Sequence, residues 1–164
     1  MPSDRGRTRL YSAEVLVHSI FDNAAAGADQ LEIGGTTLTV PAEAKFATVV
    51  SMQRYVDQVL AMASVRELFG GNPGAVRVRS RRGSTAAHYE RETSTIAVPM
   101  QSDARWAQRE LVLIHELAHH LDRSGGPAHG TAYVGGYIDL IEAVMGPEAA
   151  LIMRITFADN GVGV

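Results

Sequence analysis

The chain has no cysteine, which rules out both a disulfide framework and a thiolate metal site. A metal bound here must be held by nitrogen and oxygen. No stretch approaches the ~20 consecutive apolar residues that a membrane-spanning helix needs. Arg5, Arg7 and Arg9 open the chain, but Glu14 and His18 interrupt the apolar segment after them, so the pattern of a secretory leader is missing. The expected location is therefore the cytoplasm, without membrane association. A strong charge of either sign is also lacking. The formal net charge is −3, so bulk electrostatics recruits neither nucleic acid nor an anionic surface. There is no internal repeat, low-complexity tract or linker, and 164 residues suffice for one core, so 1–164 is expected to be a single domain.

What the chain does have is histidine in one place: four of its six histidines lie between positions 115 and 129. The densest part reads His115-Glu116-Leu117-Ala118-His119, followed by His129-Gly130. On an α-helix, residues four apart differ by only about 40° around the axis and about 6 Å along it, so His115 and His119 project from one face. Two neutral imidazoles can grip one divalent cation, and zinc is the cation they suit. Glu116 is turned about 100° from His115, which sets it beside the metal's open position instead of in the ligand ring. A catalytic zinc keeps three protein ligands and a water whose pKa falls toward ~7. A carboxylate next to that water acts as general base and returns the proton to the leaving amine. Zn²⁺ is therefore the expected cofactor, and Glu-assisted attack of zinc-bound water on a peptide bond the expected reaction.

His129 is the expected third ligand, because Gly125-Gly126-Pro127 lets the chain reverse and return to the metal. Glu142, Glu148 and Asp122 compete for that role. Tyr133 and Tyr137 lie one and two turns into a following helix, and either phenol is a candidate to stabilise a developing oxyanion; packing is the ordinary fate of such residues. His120 points away from the pair and is expected in a supporting or surface position, with Asp122 or Asp139 as candidate partners for the ligands' outer N–H groups. His18 and His88 have no partner pattern and are read as structural.

His115-Glu116-Leu117-Ala118-His119-His120 followed by His129-Gly130-Thr131-Ala132-Tyr133 resembles the HExxH zincin metallopeptidases, and within them the SprT-like and related small actinobacterial and phage metallohydrolases. The resemblance covers the motif helix, the next helix and an upstream strand region. It implies zinc on His115, His119 and His129, with Glu116 as base. It also implies a peptide or protein substrate docked as an added strand along Ala86–Glu90 or Thr95–Val98, although an ordinary solvent edge accounts for these segments more simply. The metzincin branch is excluded, since its third histidine follows sooner. Two other functions stay open: a catalytically silent zincin-fold binding module with structural zinc, and a sensor protease that cuts one specific partner.

Periodicity sets the frame. Ser12–Ala26 reads as a helix, and Gln30–Ile33, Gly34-Gly35 and Thr36–Val40 as a hairpin. Ala42 to about Phe69 reads as a second helix whose apolar face includes Phe46, Val50, Met52, Val56, Val59 and Leu60. Ala75–Ser80, Thr85–Glu90 and Thr95–Pro99 read as an antiparallel meander. The motif helix is expected to begin at a Ser102 cap and run to Arg123, with Trp106, Leu113, Ile114, Leu117, Ala118 and Leu121 as its apolar stripe. The expected fold is α+β: a small antiparallel sheet packed on helices, zincin-like, with the HExxH helix against the sheet. Arg77, Arg79, Arg81 and Arg82 form one basic cluster. Strand alternation puts the first three on one face, suited to nucleic acid or an acidic protein, although a solvated hairpin accounts for it more simply.

Overall fold

A computed structural model describes residues 5–164. In chain order the elements are α1 (Arg5–Ala25), β1 (Gln30–Ile33), β2 (Thr36–Thr39), α2 (Val49–Ala61), α3 (Ala63–Leu68), β3 (Arg77–Arg81), β4 (His88–Glu90), β5 (Thr95–Pro99), α4 (Glu110–Leu121), α5 (Thr131–Met145) and α6 (Pro147–Asp159). The fold is mixed α+β with small sheets packed on helices. Two compact units divide it: the chain up to Glu43 with Ser124–Val164, and Ala44–Arg123.

In the first unit α6 packs against both α1 and α5. Leu10, Ala13, Val17 and Phe21 of α1 are buried; their spacing of three and four places them on one stripe. β1 and β2 pair antiparallel, with Ile33 opposite Thr36. Gly34 and Gly35 both have positive φ (56° and 77°), as a two-residue turn with primed geometry requires. A Cβ at Gly34 would meet only the movable end of the Ile155 side chain on α6, Cδ1 at 2.6 Å, so it is the backbone more than space that calls for glycine here.

In the second unit α2 packs on β3 and α4, while α4 packs on β4 and β5. The strand order is β3-β5-β4, with β5 parallel to β3 and antiparallel to β4. The expected meander is thus corrected. β5 is the central strand, and all five of its residues are buried; a strand covered on both faces reads as a continuous apolar run. Gln53 on α2 covers the outer edge of β3, its Oε1 accepting from the Val78 N–H (2.7 Å) and its Nε2 donating to the Val76 carbonyl (2.8 Å).

Several helix boundaries also depart from expectation, beginning with α1, which is helical from Arg5 and not only from Ser12. Residues 42–48 are not helical. Lys45 bridges Arg109, the Phe46 N–H bonds the Gln108 carbonyl, and α2 begins only after Thr48, which forms a reciprocal capping box with Ser51. That cap satisfies N–H groups that the longer helix would have bonded internally. A break at Met62 then separates α2 from α3. The motif helix starts at Glu110, not at Ser102, because Ser102–Ala107 is a separate 3-10 segment. Trp106 accordingly leaves the stripe and is 42% exposed.

Candidate metal centre

α4 carries the motif on a helix buried from Glu110 through Ala118. Leu113, Leu117 and Leu121, each four residues from the last, are all buried; they fix the helix's rotation, and the histidine face follows from it. Its first turn is anchored by Glu110: Oε2 accepts from the Ala44 N–H at 2.8 Å, Oε1 from the Tyr55 hydroxyl at 2.6 Å. Its last turn holds His119 and His120.

The His115 and His119 rings lie 5.1 Å apart, centroid to centroid, at 67°. His115 is buried, as is Glu116 beside it (6% exposed). His129 stands just before α5, with both ring nitrogens shielded from solvent. Its ring meets Tyr133 edge-on at 5.3 Å and Tyr11 at 5.5 Å. One ligand atom from each of His115, His119 and His129 lies within 4.8 Å of the others, close enough to hold a metal ion. The donor chemistry fits zinc: three imidazole nitrogens and no thiolate. Among the described residues no carboxylate joins that group. Gly130 closes the approach, its N–H bonding the Pro127 carbonyl at 2.9 Å while a Cβ there would sit 3.3 Å from Pro127.

The competing carboxylates lie elsewhere. Glu142 pairs with Arg154 at 2.9 Å on an exposed surface, and Asp139 stands 3.9 Å from the same guanidinium. Glu148 is exposed in the first turn of α6, and Asp122 ends α4 as its C-cap. Tyr133 and Tyr137 are both buried; Tyr137 packs on Tyr133 at 5.9 Å and on Phe157 at 6.2 Å, one turn further from His129. Tyr11 was missed, since nothing in the periodicity of α1 marks it off from any other half-exposed aromatic.

His120 joins α4 to β4 and to the loop before β3. Its Nε2 faces the Gly74 carbonyl at 3.3 Å, and its Nδ1 meets the Tyr89 hydroxyl at 2.8 Å. A carbonyl only accepts, so Nε2 carries the proton and Nδ1 accepts from Tyr89. Burial pushes this imidazole's pKa below the usual histidine value, consistent with a neutral ring tying β4 and the Gly70–Gly74 loop to α4.

The basic cluster is partly neutralised. Ala97 on β5 faces Arg79 on one side and His88 on the other, and so small a residue lets long side chains cross the central strand. Arg79 pairs with Glu90, Arg81 donates to the Ala86 carbonyl (2.7 Å) and meets His88 Nδ1 (3.0 Å), and His88 Nε2 meets Glu90 (3.0 Å). His88 and Arg79 hold the Glu90 carboxyl below its ordinary pKa. Arg77 and Arg82 remain exposed. Of the two segments expected to receive a substrate strand, Thr95–Val98 is corrected, because β5 is paired on both sides; β4 is at the sheet's edge. A groove of about 660 Å³ beside α2, lined by Val50, Arg54, Asp57, Arg77 and Val78 among others, includes none of the three histidines.

No family model, curated protein or solved structure matches the chain. No helix among the described residues is long and apolar enough to cross a membrane.

Proposed function

We propose that this chain is a zinc-dependent hydrolase that cleaves peptide bonds, a metallopeptidase of the HExxH zincin type with SprT-like affinities. The observation that carries the reading is the approach of the His115, His119 and His129 nitrogens to within 4.8 Å of one another, with buried Glu116 next to His115 on the same helix. A bound zinc ion would polarise the carbonyl under attack and lower the pKa of water at its open position. His115, His119 and His129 would hold the ion as neutral donors. Glu116 takes the proton from the attacking water and delivers it to the leaving amine. Tyr133, whose ring adjoins His129, is the better placed of the two tyrosines to donate to the oxyanion. An extended peptide adds along β4, where main-chain hydrogen bonds orient it.

Incubating the protein with a panel of unstructured proteins, with and without a chelator, tests the reading. Wild type cleaves and chelation stops it. Glu116→Gln loses about 10²–10⁴-fold in rate, the usual worth of a general base, while zinc content and thermal stability stay at wild-type values. If every panel protein survives and chelation unfolds the chain, zinc is structural and the peptidase reading fails. Cleavage of one partner protein alone would instead define a sensor protease.

A further inference from the structure

We propose that Tyr11 is a positioning residue for the third ligand: with Tyr133 it clamps the His129 ring, so that α1 helps to set the orientation of a ligand that lies outside any helix. The proposal rests on the metal-centre reading above and adds to it a residue outside the HExxH pattern. His115 and His119 take their directions from a buried helix. His129 follows Gly125-Gly126-Pro127 and precedes the first turn of α5, so its backbone belongs to no helix or strand. Two aromatic rings meet its own. Tyr11 meets it at 5.5 Å and 64°, Tyr133 at 5.3 Å and 85°, both in the edge-on arrangement that rings with opposed edge and face charge prefer.

Tyr11 is itself braced. The Arg7 guanidinium lies over its ring at 5.2 Å, four residues earlier on α1 and hence on the same face. The result is a column of Arg7, Tyr11, His129 and Tyr133, with both nitrogens of the histidine shielded from water. A ring held on two sides loses little freedom on binding an ion, so the clamp strengthens the site without touching the metal. Tyr11 is 40% exposed, so replacing it need not disturb a core.

The test is zinc affinity by competition with a chromophoric chelator, together with the visible absorption of the cobalt-loaded protein, for wild type, Tyr11→Phe and Tyr11→Leu, with His129→Ala as reference. The leucine keeps apolar bulk and loses the aromatic edge. Its expected effect is about tenfold weaker zinc binding, the lower end of what supporting residues around a metal contribute, with cobalt absorption shifted toward that of His129→Ala. Tyr11→Phe keeps wild-type affinity and spectrum. If Tyr11→Leu binds zinc as wild type does, the clamp is wrong while the centre stands. If Phe weakens binding as much as Leu, the hydroxyl matters and ring stacking is not the device. If wild type takes up no zinc, or His129→Ala binds as tightly as wild type, the metal-centre reading fails and the clamp with it.

Discussion

Two parts of the candidate site are built by different means. His115 and His119 sit one turn apart on α4, where buried Leu113, Leu117 and Leu121 fix the helix's rotation and thereby aim the imidazoles. His129 sits in a glycine- and proline-containing connection, its ring bounded by Tyr11 and Tyr133. Direction comes from backbone periodicity in the first case and from side-chain packing in the second. A pair set by a helix can be read from spacing; a ligand set by neighbouring rings can be nominated but not oriented.

The comparison breaks first at the ligands. His115→Ala or His119→Ala removes half of the helical pair and should abolish both zinc retention after gel filtration and hydrolysis. His129→Ala leaves that pair intact, so weak zinc binding persists while hydrolysis is lost. Equal loss of metal from all three variants would show that the loop ligand is as firmly set as the helical ones. Next come the tyrosines: Tyr133→Phe, which keeps the ring against His129, should lower kcat by about 10²-fold if its phenol serves the oxyanion. Tyr137→Phe, one turn deeper against Phe157, should change kcat little. The reverse order would exchange their roles.

The anchoring of α4 can be weakened without touching a ligand. Glu110→Ala leaves the Ala44 N–H and the Tyr55 hydroxyl without their acceptor and should cost about 1–3 kcal/mol in urea unfolding, with metal content unchanged at low denaturant. The smallest effect concerns acid. Glu90's pKa is lowered in the fold by His88 and Arg79, so its contribution to stability is present above the unfolded value and is lost as pH falls through the folded one. Arg79→Ala should flatten that acid limb slightly in thermal melts, and no change would mean the surface network is screened.

How much of this the sequence discloses follows the same division. Residues that repeat at helical spacing gave α4 and its buried face, and Gly34-Gly35 between alternating strands gave the hairpin, because each signal is local. Ala42–Thr48 reads as helix because Phe46 continues the apolar face of the segment that follows, yet its backbone is spent on Gln108 and Arg109, far along the chain. The parallel pairing of β3 with β5 is equally invisible, since strand propensity says nothing of partner. Trp106 fell off the stripe once the 3-10 segment interrupted the helix. Motif and spacing nominate the three histidines. Nothing nominates Tyr11, because an edge-on contact with a residue so distant leaves no trace in α1 itself.

The most direct measurement is a zinc-edge anomalous difference map from a crystal grown with zinc. The account expects one peak about 2.0–2.1 Å from a nitrogen of each of His115, His119 and His129. An empty map at that point, or a peak held by other side chains, contradicts it.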